Sequence, residues 1–276
     1  MYSYQDAPAP TPTNLNFNCG HSVALSDKYA VIGCPGFKEF DVDNKAYSDV
    51  SSGAISVYTL GFDPEKIPPL NVVRRITNPD DLPNDAEFGT SVAINTARIV
   101  AAGTKLREGL VALFDMDENP NKPFLTLPKS RDGIRDEPGN FGWSVALNDN
   151  NESMLAVGAP KQRQNGKVTG SVFLWKDIFS DNDPVEIEAP DQAELCDGTD
   201  GCQFGYSVAL SGNTLVVGSP GTRDKAGRAF VYDMTKDKFE KNAETLRANP
   251  LSKSEVGFSV AIRDGAIVVG SRKYVV

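Results

Sequence analysis

The sequence has a single histidine, His21, and only four cysteines in 276 residues. A structural zinc site needs four Cys or His ligands close together, so the shortage of histidine argues against one. No apolar run approaches the length of a membrane-spanning helix, and no membrane insertion of this chain is expected. Asp and Glu (37) outnumber Lys and Arg (28), which gives a formal net charge of −9. This acidic balance argues against nucleic acid as a partner.

Sustained helical periodicity is also missing, and a repeated motif stands in its place. A Gly-x-Ser-Val-Ala pattern, followed by a polar turn and an apolar run, occurs five times, beginning at Gly20, Gly89, Gly142, Gly205 and Gly257. The successive differences between these positions are 69, 53, 63 and 52 residues. Repeats of about this length are typical of propeller blades that contain four strands each.

Each repeat divides into four predicted strands. Ser-Val-Ala-Leu/Ile forms the first, and the apolar run after the turn forms the second. Third strands follow a glycine and are rich in aromatic and β-branched residues, at Gly53, Gly109, Gly170 and Gly227. Fourth strands are weaker and more polar, as outer edge strands should be. The sequence therefore predicts an all-β fold, a β-propeller of four-stranded antiparallel blades with five repeats visible.

The predicted hairpins share one register. If Leu25 pairs with Ala30, then Ser22 lies opposite Gly33, and the same rule places a serine opposite a glycine in every repeat. We interpret this pair of small residues as a response to crowding where the innermost strands converge on the propeller axis. Second strands such as Leu215–Val217 and Ile267–Val269 are apolar on successive residues, which predicts burial on both faces.

The cysteines form two local pairs, Cys196 with Cys202 and Cys19 with Cys34. Two disulfides would indicate an oxidising compartment, whereas four reduced thiols are the alternative. The Cys-Asp-Gly-Thr-Asp-Gly-Cys segment contains two glycines that let a short loop close. The hairpin register makes Cys19 and Cys34 diagonal neighbours, a separation that is long for a disulfide.

Phe-Gly pairs at 88–89, 141–142 and 204–205, with Gly158-Ala159-Pro160 and its variants, resemble the FG-GAP repeats of the integrin α N-terminal head and related extracellular propellers. The resemblance covers residues 17–276 and implies one propeller domain. Such families usually close seven blades. The chain is therefore interpreted either as a fragment of a longer propeller or as a five-bladed ring in which the N-terminal segment 1–16 supplies the outer strand of the closing blade.

The resemblance also implies calcium loops of the form Asp-x-Asp-x-Asp-Gly between the first and second strands. None of the five turns carries this motif, so no cofactor is expected. Asp149 and Glu152, in the turn of the third repeat, are the weak metal candidates. Asn151 opens an Asn-Glu-Ser sequon, a glycosylation site only if the protein is secreted.

Catalysis is not expected. The nucleophile-elbow pattern Gly-x-Ser-x-Gly fails because its fifth position is Ala, and recurrence in all repeats marks these serines as structural. His21 occupies the position held by Thr90, Trp143, Tyr206 and Phe258 in the other repeats, which indicates a packing or rim residue.

The connections between second and third strands and between blades are long and rich in Asp, Pro, Gly and basic residues, whereas the turns of the first hairpins are short. The 2–3 connections and the connections between blades lie at the same end of the blades. Together they predict a ligand-binding face at that end. Its candidate residues are Lys38, Asp41, Asp43, Arg131, Arg135, Lys161, Arg163, Arg223, Asp224 and Lys225.

The predicted function is non-enzymatic binding or adhesion, with a protein or glycan as the ligand. The resemblance and the cysteine pairing imply an extracellular or cell-surface location, although the N-terminus of this chain shows no secretory signal. Two alternatives stay open: a propeller enzyme that acts on a polysaccharide or a similar substrate, and a structural segment of a larger extracellular protein.

Overall fold

The computed structural model describes residues 17–41, 46–48, 50–60, 70–77, 85–105, 109–127, 139–148, 153–190, 196, 201–236, 238–239, 243–246 and 253–272. The N-terminal segment 1–16, predicted as an outer strand, lies outside these residues. Within them the fold is all-β, with one short helical turn, so the predicted class is confirmed.

The first two sheets each contain four antiparallel strands, called blades here. Blade 1 consists of β1 (Ser22–Leu25), β2 (Tyr29–Cys34), β5 (Ala54–Leu60) and β6 (Leu70–Thr77), with a small hairpin of β3 (Phe40–Asp41) and β4 (Ala46–Tyr47) in its 2–3 connection. Blade 2 consists of β7 (Ser91–Ile94), β8 (Ile99–Gly103), β9 (Val111–Asp115) and β10 (Leu125–Leu127). The small hairpin was not predicted.

Blades 3 and 4 repeat this plan. Blade 3 consists of β11 (Ser144–Leu147), β12 (Leu155–Ala159), β15 (Ser171–Trp175) and β16 (Val185–Glu188), with a second small hairpin of β13 (Arg163–Gln164) and β14 (Lys167–Val168). Blade 4 consists of β17 (Ser207–Ser211), β18 (Thr214–Ser219), β19 (Arg228–Asp233) and β20 (Glu244–Leu246), with the turn α1 (Thr222–Lys225). A two-stranded sheet follows, β21 (Val256–Arg263) with β22 (Ala266–Ser271).

The predicted register is confirmed in all five hairpins. Ser22 lies opposite Gly33 and Leu25 opposite Ala30, and the same serine–glycine rung recurs at 91/103, 144/158, 207/218 and 259/270. In each of the four blades the strands lie in the order first, second, third, fourth, so the polar fourth strand is at the edge.

The first strands lie side by side. β1 contacts β7, β7 contacts β11, β11 contacts β17, and β17 contacts β21. Antiparallel sheets that meet along their first strands are arranged as in a propeller, whose blades share an axis. The chain therefore has a β-propeller-like fold.

The hydrophobic core lies between successive blades. The Phe-Gly phenylalanines Phe88, Phe141 and Phe204 are fully buried, one in each of the three core clusters. Each ring meets aromatic rings of a third strand, as Phe204 does with Phe230 at 5.6 Å between centroids. A blade thus contributes one face to the core before it and the other face to the core after it.

The prediction that second strands are buried on both faces is confirmed for Leu215–Val217 in β18, and β8 and β12 are buried in the same way. The prediction is wrong for Ile267–Val269 in β22. Val268 is 66 % exposed, because no blade packs on that face of β22 in the described part of the chain. In blade 1, the face that points away from blade 2 is open, with Val23 65 % and Leu25 68 % exposed.

Tyr232 provides a test of this core. Burial raises the pKa of Tyr232, and its hydroxyl, buried in the core, has no hydrogen-bond partner within the described residues. In the unfolded chain a tyrosine ionises near pH 10, so above that pH the folded state loses about 1.4 kcal/mol of relative stability per pH unit. Tyr232→Phe removes this loss.

We expect Tyr232→Phe to match the wild type or exceed it slightly in stability at pH 8, since an unpaired buried hydroxyl is removed. At pH 11 the variant should gain about 1.4 kcal/mol more over the wild type. Urea unfolding at both pH values measures this. A stability advantage of equal size at pH 8 and pH 11 would contradict the raised pKa of Tyr232 in the folded protein.

Candidate binding face

The 2–3 connections and the connections between blades meet at one end of the sheets, called the loop face. Backbone N–H groups of Phe88, Phe204 and Val256 donate to the carbonyls of Ser52, Thr169 and Ala226, each at 3.0 Å. Each of these bonds joins a 2–3 connection to the segment that enters the next blade. The loops of the predicted binding face are therefore neighbours, held to each other by backbone hydrogen bonds.

The serines of the repeat connect neighbouring blades. The Oγ atoms of Ser22, Ser91, Ser144 and Ser207 donate to the carbonyls of Gly89, Gly142, Gly205 and Gly257 in the following repeat, at 2.7–2.9 Å. A Cβ built on Gly33, Gly103, Gly158 or Gly218 would collide with the same carbonyl. The rung of small residues therefore comes from the close approach of the next blade's backbone, so the predicted crowding between innermost strands is confirmed, and its source is the carbonyl that precedes the next first strand.

Aromatic side chains line the inner edge of the loop face. Trp143 and Tyr206 directly precede β11 and β17, and Phe258 holds the equivalent place within β21, directly before Ser259. Because these first strands are neighbours, the rings form a continuous row, called the aromatic belt. Trp143 and Tyr206 have ring centroids 5.4 Å apart, and Tyr206 and Phe258 are 4.9 Å apart. The three rings are partly buried, so each has one part in contact with protein and one part open to a ligand.

The belt continues towards blade 1 with polar groups. His21 occupies the equivalent position in blade 1 and is exposed, and its Nδ1 lies 3.1 Å from the carbonyl oxygen of Thr90. Thr90 is buried, and its hydroxyl donates to the carbonyl of Glu87 at 2.8 Å. The predicted rim position of His21 is confirmed.

Two charged side chains lie at the other end of the belt. The Arg272 guanidinium is 5.3 Å from the centre of the Phe258 ring, and its Nε is 4.0 Å from the carboxylate of Glu255. Burial raises the pKa of Tyr206, with Arg272 opposing and Glu255 reinforcing that shift. A neutral hydroxyl, a guanidinium and a carboxylate thus accompany the rings, a set that suits hydrogen bonding as well as stacking.

The predicted ligand-binding residues are partly placed by the structure. Lys161, Arg163, Arg223, Asp224 and Lys225 are exposed on the loop face. Arg223, Asp224 and Lys225 all have positive φ, and the carbonyl of Lys225 accepts the N–H of Glu255 at 2.8 Å. This bond links the loop of blade 4 to the charged end of the aromatic belt.

Of the remaining predicted residues, two lie in the described part of blade 1 and the others lie outside the described residues. Lys38 lies in the 2–3 connection of blade 1 beside Phe37, whose ring contacts Phe17 at 5.3 Å and lies 5.2 Å from the Arg75 guanidinium. Asp41 belongs to β3. Outside the described residues lie the binding candidates Asp43, Arg131 and Arg135, the metal candidates Asp149 and Glu152, and the sequon residue Asn151.

Both cysteine pairs form disulfides. Cys19 and Cys34 have Cα atoms 3.9 Å apart, so the prediction that their separation is long was wrong. Asn18 and Gly20 have positive φ, and this bend brings Cys19 back towards the end of β2. The second pair, Cys196 and Cys202, has a Cα separation of 4.6 Å and confirms the prediction.

The Cys196–Cys202 disulfide closes a loop at the entry to blade 4. The carbonyl of Cys202 accepts the N–H of Gly221 at 3.0 Å and the hydroxyl of Ser219 at 2.8 Å, which ties this loop to the 2–3 connection. The disulfide therefore fixes part of the loop face.

Replacing both residues, Cys196→Ala with Cys202→Ala, should lower the free energy of unfolding by about 2 kcal/mol, as expected for a short closed loop. Urea unfolding of the variant and the wild type without reductant measures the difference. An unchanged urea midpoint would show that the loop is held without the covalent bond.

At the opposite end of the blades, a polar side chain in a turn of the first hairpins joins two neighbouring blades. The Asn148 amide donates to the carbonyl of Gly212 at 3.0 Å and accepts its N–H at 3.1 Å, joining blades 3 and 4. In the described residues no three His, Cys, Asp or Glu side chains are grouped to hold a metal ion. None of the helical segments described is long and apolar enough to cross a membrane.

The aromatic belt is the feature that sequence reasoning missed. Its signal was present in the variable position of Gly-x-Ser, where Trp143, Tyr206 and Phe258 follow glycines. Whether these rings meet depends on how closely neighbouring first strands approach each other. The repeated motif alone does not predict that distance.

Comparison with known families supports the repeat. Residues 193–232 match the family described as FG-GAP repeat, a range that contains the Cys196–Cys202 disulfide, Phe204-Gly205 and most of β17, β18 and β19. No curated protein is significantly similar in sequence to the chain. The chain therefore contains an FG-GAP-type repeat.

Proposed function

We propose that this chain is a non-enzymatic binding module, an FG-GAP-type propeller similar to the integrin α head, which recognises a protein or glycan ligand through its loop face. The observation that carries the proposal is the aromatic belt of Trp143, Tyr206 and Phe258 at the inner edge of that face. Tyr and Trp are enriched where proteins bind partners, because they combine a large apolar surface with a hydrogen-bonding group.

The site is organised before a ligand arrives. The rings support one another, and the loops around them are fixed by backbone hydrogen bonds between connections. A rigid site loses little conformational entropy on binding, which favours affinity. Exposed charges of both signs on the neighbouring loops, such as Arg223 and Asp224, supply polar contacts at the rim.

The serine hydroxyls support a binding role over a catalytic one. Each of the four that precede another blade donates to a backbone carbonyl, so its function is to join blades. The two disulfides support an extracellular or cell-surface location, because such bonds persist in oxidising compartments.

The experiment is a glycan and protein array probed with the purified chain, with and without calcium, followed by affinity measurements on variants. Tyr206→Ser should weaken binding of the selected ligand by about tenfold or more, since a central aromatic is lost. The control Leu246→Ser removes an exposed apolar side chain from the edge strand of blade 4 and should leave the affinity unchanged. We expect calcium to make no difference.

An affinity that survives both Tyr206→Ser and Trp143→Ser, or one that falls with Leu246→Ser instead, would show that the ligand binds elsewhere. A large gain of stability on adding calcium would show that the chain binds calcium, contrary to what the turn sequences predict.

A further inference from the structure

A second aromatic feature lies at the opposite end of the blades, called the turn face. There the 3–4 connections meet the turns of the first hairpins, as the bond from the Ile178 N–H to the carbonyl of Ser153 at 2.9 Å shows. Phe124 of blade 2 and Phe179 of blade 3 both lie in 3–4 connections. Their rings are stacked at 5.6 Å between centroids and 17° between planes.

This stack faces water. Phe179 is 63 % exposed and Phe124 is 42 % exposed, although both are large apolar side chains. Scattered single exposed residues are ordinary on protein surfaces, but joined aromatic rings contributed by two blades are a feature of interaction sites.

Both rings are held in place by ordered backbone. The N–H of Phe124 donates to the carbonyl of Leu113 at 2.9 Å, and the N–H of Phe179 donates to the Asp177 carboxylate at 3.0 Å. Ile178, directly before Phe179, is buried in the core between blades 2 and 3. Since Ile178 anchors the loop inward, Phe179 is presented outward in a fixed position.

The surroundings of the stack are acidic. The last residue of β9 and the two connections, 116–124 and 176–184, contain six carboxylates and two lysines, namely Asp115, Asp117, Glu118, Asp177, Asp181, Asp183, Lys122 and Lys176. Lys176 lies with its Nζ 5.4 Å from the centre of the Phe239 ring, and Asp117 is paired with Arg98. Glu118 and Asp183 are exposed. The Arg74 guanidinium donates to the Asn121 side chain at 3.1 Å, so cations are present as well. A ligand at the stack therefore meets an apolar centre with a rim on which carboxylates outnumber cations.

The charges around the stack indicate which kind of molecule binds there. A second copy of the chain would bring the same carboxylates together, and the net charge of −9 opposes such self-association. A peptide segment with Arg or Lys beside an apolar side chain suits both the aromatic centre and the carboxylates around it. The aromatic faces attract the cations, and the carboxylates accept hydrogen bonds from them.

We propose that the Phe124–Phe179 stack is the centre of a second docking surface, which binds a basic, partly apolar peptide segment of a protein partner. This surface is at the end of the blades opposite to the aromatic belt and is independent of the ligand proposed for the loop face.

The test uses the whole chain and an array of synthetic hexapeptides in which Arg or Glu alternates with Leu or Ser. We expect the Arg/Leu peptides to bind and the Glu/Leu peptides not to bind. Fluorescence anisotropy then gives Kd for variants. The double variant Phe124→Ser with Phe179→Ser should raise Kd by about tenfold, the loss typical of a central aromatic contact. Glu118→Gln with Asp183→Asn should raise Kd about threefold and weaken its dependence on salt.

The matched control is Leu246→Ser, an exposed apolar residue on the edge strand of blade 4, which should leave Kd unchanged. Circular dichroism and the Tm check that each variant is folded, and Phe179→Ser alone replaces the double variant if that one is unstable.

Four results would overturn the proposal. These are no binding of Arg/Leu peptides, an unchanged Kd in the phenylalanine variant, equal binding of Glu/Leu peptides, and a dimer in sedimentation that disappears with Phe179→Ser. The last result would identify a second copy of the chain as the occupant.

Discussion

Gly158→Ala should destabilise the protein by about 3 kcal/mol, although alanine is otherwise easily accommodated in a strand. A Cβ at this position would collide with the backbone carbonyl of Gly205 in blade 4 and with the Ser144 hydroxyl. That carbonyl also accepts the Ser144 hydrogen bond at 2.8 Å, so relieving the collision would pull blades 3 and 4 apart. Urea unfolding of the variant and the wild type measures the loss.

The chain offers a matched control for this prediction. Gly270 holds the same place in the fifth repeat, opposite Ser259, but within the described residues no further blade packs against it. A Cβ there would meet only the movable Ser259 side chain, so Gly270→Ala should cost less than about 1 kcal/mol. Equal losses in the two variants would show that contact between blades is not what requires glycine.

Phe204→Ala should cost about 3–5 kcal/mol, the range for removing a large buried aromatic side chain. Phe204 is fully buried between blades 3 and 4, with ring centroids 5.6 Å from Phe230 and 6.4 Å from Tyr232. Its removal leaves a cavity that rigid strands on both sides cannot close. Thermal or urea unfolding gives the value.

The control is the same substitution at an exposed ring. Phe179→Ala, where the side chain is 63 % exposed, should change the free energy of unfolding by no more than about 0.5 kcal/mol. A loss at Phe204 as small as that at Phe179 would mean that the Phe-Gly phenylalanine does not stabilise the contact between blades.

The hairpins were predictable because their information is local. Alternating apolar residues, a short turn and a terminal glycine fix which residues pair, and the serine–glycine rung was correct in every repeat. The order of strands within a blade follows from short connections between antiparallel neighbours.

The contacts between blades were harder to predict. The partner of Ser144 is a carbonyl in the next repeat, and no local pattern names a backbone acceptor so far away in sequence. The small hairpins β3–β4 and β13–β14 consist of two-residue strands, too short to show alternation. Cys19 reaches Cys34 only because Asn18 and Gly20 adopt positive φ, which residue type permits but does not require.

The sequence predicted the loop face of the candidate site but not the aromatic belt at its inner edge. Long polar connections predict a binding role for the loop face, since loops on a regular scaffold commonly carry binding residues. The aromatic belt at its inner edge needed the packing of first strands, which only the structure provides.

The most direct test of this arrangement is a nuclear Overhauser spectrum of the chain with protonated Trp, Tyr and Phe in a deuterated background. Trp143, Tyr206 and Phe258 are far apart in sequence, so contacts between their rings require first strands that lie side by side. We predict cross-peaks from the Tyr206 ring to both of the others. The absence of both cross-peaks in the folded protein would contradict the radial arrangement of blades and, with it, the proposed binding site.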